Sequence, residues 1–168
     1  MLTKNFYSYM RAAFSAAGKV IPFVKTDGTT TNLRYSNNFA PFAVMNKWSV
    51  NNNGFGVSFG TGTTPATMSD YSIESGLGGT QISVSYPNSV SYSRDNTFDM
   101  YSVSFGITNI TSDAITISEV GLTVGTTSGS SEYRVLVDRT VLDAPVTIPP
   151  HETKHIAYTI RFNYGDTV

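Results

Sequence analysis

The sequence predicts an all-β protein, a β-sandwich or jelly roll of about eight to ten antiparallel strands behind a short N-terminal α-helix. Three observations carry this. The 168 residues are 40% hydrophobic but only 14% charged, against about 25% charged in an ordinary soluble domain. Ser, Thr, Asn and Gly supply the polarity instead, and these suit strands joined by turns. Apolar residues alternate with polar ones through most of the second half, the period of a half-buried strand. Gly, Asn and Pro clusters break the runs at short intervals.

The elements follow in order. Residues 2–17 read as the one helix, because Leu2, Phe6, Tyr9, Met10, Ala13 and Ala17 recur at three- and four-residue steps. Thr3 or Asn5 is placed to cap its start, and Gly18 to end it. Such a helix either packs on its own domain or reaches out as an arm onto a neighbour. Lys19–Lys25 contains Pro22, which suits an edge strand, and Asp27-Gly28 is a hairpin signal. Phe42–Val50, anchored by Trp48, reads as a strand, Asn51–Gly54 as a turn, and Phe55–Phe59 as the next strand.

Residues 60–78 are the longest irregular stretch, and long loops inside compact domains are often functional. Strands are then expected over Gln81–Tyr86, Phe98–Ile110, Ala114–Val124, Tyr133–Leu142, Val146–Ile148 and His155–Phe162. The inward parity switches within two of these. The switch near Tyr101 predicts a bulge or bend, and a second lies near Ser118–Glu119. The division expected is residues 1–18 as a helical arm and 19–168 as the β domain.

Composition also narrows the chemistry. Net charge is −1, so the positive field that nucleic-acid binding needs is missing. There is no Cys, which removes disulfides and thiolate metal sites. No apolar run approaches the ~18 residues of a membrane helix, and the first residues carry no apolar signal-type segment. Synthesis in a cytoplasm, without membrane association, is the expectation.

The sharpest motif is His151-Glu152-Thr153-Lys154-His155, a match to H-E-x-x-H. That zinc-protease chemistry needs a helix, where histidines four apart face one metal. Here Pro149-Pro150 precede the motif and an alternating run, Ile156 to Ile160, follows it. On a strand the two histidines would stand about 13 Å apart. The extended pattern would also want glycine at 158 and histidine at 161, where Tyr158 and Arg161 stand. Asp95 with Asp99, and Asp70 with Glu74, are carboxylate pairs without calcium-loop spacing. No G-x-S-x-G elbow is present. The expectation is no enzyme, no catalytic residue, no metal and no cofactor.

Ten Tyr and ten Phe remain. Most belong in a core, and the surplus tyrosines suit an interface or a sugar platform, having an apolar body and a polar tip. The candidate contact residues are Phe6, Tyr9, Met10 and Phe14 on the helix and Pro65 and Tyr71 on the long loop.

Several segments resemble structural proteins of tailed bacteriophage particles. They are Leu2–Tyr7; Gly60-Thr61-Gly62-Thr63-Thr64-Pro65 with Ser69-Asp70-Tyr71; Ile117–Leu122; Arg139–Leu142; and Pro145–Pro149. The resemblance spans most of residues 55–162 and defines no catalytic residue. It implies a virion component made in the host bacterial cytoplasm: a capsid decoration, head-associated, tail or connector protein. Its partners would be other copies of itself, as a homo-oligomer, and other capsid or tail proteins. The alternative it implies is a host-glycan-binding module of a tail tip or fibre.

Overall fold

A computed structural model describes residues 1–13, 20–34, 56–85, 89–95, 97–128 and 131–163. Phe14, Gly18, the strand expected over Phe42–Val50 with Trp48, the Asn51–Gly54 turn, Phe55 and Tyr86 lie outside the described residues. Among the described residues the chain is mostly β, with antiparallel sheets and one short helix, an all-β fold. It divides into two compact units, Met1–Gly78 with Thr116–Thr147, and Gly79–Ile115 with Ile148–Val168. The division does not fall at residue 18, because contacts made late in the chain return to both its start and its middle.

In the first unit, helix α1 (Lys4–Ala13) follows three residues that are themselves tied to a strand. Thr3 N–H donates to Val137 O and Arg139 N–H to Met1 O, both at 3.0 Å, around a bridge between Leu2 and Asp138. The side chains expected to cap the helix do other work. The buried Thr3 hydroxyl donates to Leu136 O at 2.7 Å. The buried Asn5 amide mimics a strand: it donates to Val24 O at 2.7 Å and accepts from Val24 N–H at 2.9 Å. The start of the helix is therefore fastened within its own unit, and an arm held only by a neighbour does not describe it. Arg11, in the last turn, has the charge that suits a helix C-terminus.

Strands β1 (Val20–Val24) and β2 (Thr30–Arg34) form the expected hairpin, with Ile21 and Phe23 buried and Pro22 exposed. Gly28 takes φ 82°, a conformation glycine adopts without the Cβ clash. Asp27 closes the turn by accepting from the Thr29 N–H at 2.8 Å and hydroxyl at 2.7 Å. Those bonds, with Lys25 beside it, hold the Asp27 carboxyl down at about 2.

The larger sheet of this unit is ordered β3 (Gly56–Gly60), β7 (Ile115–Ser128), β8 (Ser131–Ile148). Val57, Phe59, Val120, Leu122, Val124, Val135, Leu136 and Val137 are among its buried apolar residues. Residues 117–124 of β7 are buried at every position, so neither parity is solvent-facing there. That is why the alternation breaks near Glu119, and the β3–β7 ladder runs through Glu119 unbroken. β8 also absorbs the separate strand expected at Val146–Ile148. Pro145 lies exposed near its end, where a missing N–H costs a strand least.

The second unit is a sheet ordered β4 (Ile82–Val84), β6 (Phe98–Asn109), β5 (Ser89–Arg94), with β9 (Thr153–Asn163) also paired to β6. Val103, Phe105, Ile107 and Tyr158 are buried on one face. The bulge expected near Tyr101 is absent. The β6–β9 register runs without a break from Phe98↔Asn163 to Thr108↔Thr153. Phe98 and Met100 lie on the opposite face, where the Arg161 guanidinium stacks on the Phe98 ring at 4.0 Å from its centroid. An apolar residue capped by an arginine guanidinium mimics a change of register.

Candidate functional site: a loop clasped by a buried arginine

The 60–78 loop has no helix or strand of its own, yet nearly every turn of it is fastened. Its return leg lies beside the end of β3: Thr61 N–H donates to Ser75 O at 2.9 Å and Leu77 N–H to Phe59 O at 2.8 Å. The fastening centre is Glu119, on β7 and fully buried. Glu119 Oε1 accepts from Gly62 N–H at 3.1 Å and Ser75 N–H at 2.7 Å. Oε2 accepts from Glu74 N–H at 3.0 Å and from Arg139 Nε at 2.8 Å. Four donors fill the acceptor capacity of a carboxylate. In this arrangement Glu119 has no lone pair left for a metal or for a proton in transit.

Arg139, on β8 and equally buried, spreads its guanidinium over three carboxylates. Nε meets Glu119, one terminal nitrogen meets Asp70 Oδ2 at 2.8 Å, and the other meets Glu74 Oε2 at 3.3 Å. Asp70 and Glu74 tie the loop to itself as well. Asp70 accepts from the Thr67 N–H at 3.0 Å and hydroxyl at 2.7 Å, and Glu74 from the Thr64 N–H at 3.0 Å and hydroxyl at 2.7 Å.

Burial pushes the Glu119 carboxyl up, but the Ser75 and Glu74 N–H groups and the arginine outweigh it, leaving it below the usual range. Burial pushes Asp70 up too, and the Thr67 N–H and Arg139 more than offset that. Glu74 is held down first by the Thr64 hydroxyl and N–H. Burial lowers the Arg139 pKa and the two carboxylates raise it further, so it stays charged.

Three glycines make the clasp geometrically possible. A Cβ on Gly60 or Gly62 would stand 2.5 Å from Glu119 Oε1, and one on Gly121 would stand 2.6 Å from the Ile73 side chain. The loop can approach β7 this closely only where side chains are missing. The loop also reaches the helix: Lys4 N–H donates to Met68 O at 2.8 Å and Lys4 Nζ to Ser69 Oγ at 3.1 Å.

The candidate contact residues fall as follows. Pro65 is exposed between Thr64 and Thr67, the residues held by Glu74 and Asp70. Tyr71 is 43% exposed, with its ring edge against the Gly28 turn. Met68, which the sequence reading passes over, is 46% exposed on the same loop. Phe6 is half-buried and meets Tyr7 edge-on at 5.6 Å, Met10 is half-buried, and Tyr9 lies on α1. The loop thus brings Pro65 and Tyr71 into one fastened segment, and Lys4 joins that segment to the helix.

The other sequence motifs do not converge. His151 sits in a turn at φ 59°, and β9 begins at Thr153, so H-E-x-x-H lies on a turn and a strand. His155 is exposed on β9 opposite Gly106. Asp95 closes its own turn through Thr97 and Phe98, whereas Asp99 pairs with Arg94. Among the described residues no group of three His, Cys, Asp or Glu is placed to hold a metal. No described helix is long and apolar enough to cross a membrane. The residues missed as a site were Glu119 and Arg139. Glu119 is the one charge on β7, whereas Arg139 is one of several charges on β8 and follows Asp138 directly, so only the first stands out in its run.

No protein-family model matches the chain, and no curated protein or solved structure is significantly similar to it.

Proposed function

We propose that the chain is a structural protein of a bacteriophage particle, working through protein–protein contacts, with the clasped 60–78 loop and the start of α1 as its contact surface. One observation carries this reading: a loop fixed by a buried Glu119–Arg139 centre presents Pro65, Met68 and Tyr71 outward. A surface meant to meet another protein gains from being held rigid before contact, because less ordering entropy is lost on binding. Large, partly apolar side chains on a fixed backbone are the usual anchors of such contacts.

The resemblance supports the same reading from another side. The segments that carry it, Gly60–Pro65, Ser69–Tyr71, Ile117–Leu122 and Arg139–Leu142, supply Gly62, Asp70, Glu119 and Arg139 of the clasp, while Thr67, Glu74 and Ser75 lie outside them. On this reading the chain is made in a bacterial cytoplasm and ends in the particle, beside copies of itself and other capsid or tail proteins.

The test is mass spectrometry of purified particles from the phage that encodes the chain. The chain should be present at fixed stoichiometry. Met68→Asp with Tyr71→Asp should reduce its incorporation without altering the circular dichroism of the isolated protein. Particles that form normally and lack the chain would overturn the reading.

A further inference from the structure

We propose that the tyrosine-bearing end of the β5–β6–β9 sheet is the contact surface for a second copy of this chain, related by a two-fold axis. This goes beyond the assembly reading above and does not depend on it.

The starting point is a face that outlasts its core. Along β6 the residues Ile107, Phe105, Val103 and Tyr101 share one face, because side chains two apart point the same way. Exposure rises from 1% at Val103 to 49% at Tyr101 in that single step. The cross-strand neighbour of Tyr101 on β5 is Tyr92, 50% exposed, and the two rings lie 4.9 Å apart with a 47° tilt. On β9 the partner of Tyr101 is Ile160. The opposite face at the same level is closed differently, with Arg161 stacked on Phe98. On the tyrosine face the large side chains continue past the buried region. Farther along the opposite face stand small hydroxyls, Ser102 bonded to Thr159 and Thr108 to Thr153.

Three features select a second copy as the cover. The rim of the patch carries both charges, Arg94 and Asp99, paired in cis at 2.6 and 3.0 Å. A two-fold axis sets the patch against itself, so each guanidinium meets the other copy's carboxylate; a rim of one sign would repel its own copy. The chain's net charge is only −1, so copies approach without long-range repulsion. The exposed anchors are tyrosines, and the Tyr92 hydroxyl donates to Asp99 at 2.8 Å. Amphipathic anchors tolerate water in the separated state, which suits a contact that forms and dissociates with concentration.

The experiment is sedimentation velocity on the full chain at concentrations up to about 200 μM, which populates even a submillimolar contact. Wild type should shift from monomer to dimer across the range. The double variant Tyr92→Ser/Tyr101→Ser should associate at least tenfold more weakly, with its circular dichroism unchanged. Arg94→Glu alone and Asp99→Arg alone should each weaken the dimer, and a one-to-one mixture should restore it, since the mixed pair regains opposite charges at both ends of the axis. A wild type that stays monomeric throughout overturns the proposal. So does a tyrosine variant that dimerises as tightly as wild type, or a charge-swapped mixture that recovers nothing. A monomer whose Tyr92 and Tyr101 ring resonances move on adding maltotriose or chitotriose would make the patch a sugar platform instead.

Discussion

Each unit of the molecule has a fully buried polar side chain that gathers loop and turn backbone around it, and the two differ in charge. In the first unit it is Glu119, in the second Asn109. Both gather backbone that alternation leaves irregular. Glu119 holds both legs of the 60–78 loop. Asn109 donates to the carbonyls of Asp113, Ile148 and Pro149 at 2.7, 3.0 and 3.2 Å, and accepts from the Thr111 N–H and hydroxyl at 2.9 and 2.7 Å. The amide is complete in itself, having both donors and acceptors. The carboxylate accepts only, so its negative charge needs a cation brought from another strand, and Arg139 supplies it. Both centres join distant parts of the chain, but the charged one needs a cation from another strand, whereas the neutral one is completed by the backbone of 111–113 and 148–149 and one hydroxyl.

The largest test of this difference is Arg139→Met. It keeps the stem and removes the charge, leaving the buried Glu119 and the half-buried Asp70 without their cation. A loss of about 3–5 kcal/mol in unfolding free energy is expected, as when one member of a buried ion pair is removed, and denaturant titration measures it. Asn109→Ala is the neutral counterpart. It leaves carbonyls and one N–H without their partner and should cost about 1–3 kcal/mol. An Asn109 loss equal to the Arg139 loss would remove the distinction between the two centres.

Gly62→Ala sharpens the geometry of the charged centre. Its Cβ would stand 2.5 Å from Glu119 Oε1 and 2.6 Å from Glu74 Cβ, so about 1–3 kcal/mol is expected, the range for overpacking. Gly78→Ala meets nothing within 4 Å and should stay within about 0.5 kcal/mol of wild type.

Acid separates the two centres without mutation. Asp70, Glu74 and Glu119 are all held below their ordinary values of 3.8, 4.5 and 4.5. A carboxyl with a depressed folded pKa contributes stability that is complete above its unfolded pKa and lost as pH falls through the folded one. Stability should thus be flat between pH 7 and 5 and decline below about 4.5. Glu119→Gln should shrink that acid-dependent loss, and Asn109→Ala should leave its shape unchanged. In the second unit, Tyr101→Ser removes a cross-strand aromatic pair and should cost about 0.5–1 kcal/mol in a thermal melt at low protein concentration.

The strands were readable because their signal is local. Ile21 with Phe23, and Val103 with Phe105, alternate with residues that need not be buried, and one face of a sheet demands that. The helix was readable for the same reason, since Phe6 and Met10 stand one turn apart. What misled was an apolar residue serving a different partner. Phe98 and Met100 imitate a bulge because Arg161, more than sixty positions away, covers one of them. Thr3 and Asn5 look like caps, but their side chains were claimed by Leu136 and Val24. The loop was visible in its length and its glycines, but its fastening was not, because Glu119 and Arg139 stand far from it in sequence, on β7 and β8.

By itself, then, the sequence determined the fold class: composition, alternation and turn residues act over a few positions and leave little choice but antiparallel strands. Only the tertiary structure decided which strands share a sheet, that the chain makes two units, and that Glu119, Arg139, Asp70 and Glu74 meet. Those outcomes depend on pairing across long loops and on compensating a buried charge. Both are properties of the assembled chain, and neither leaves a period in the sequence.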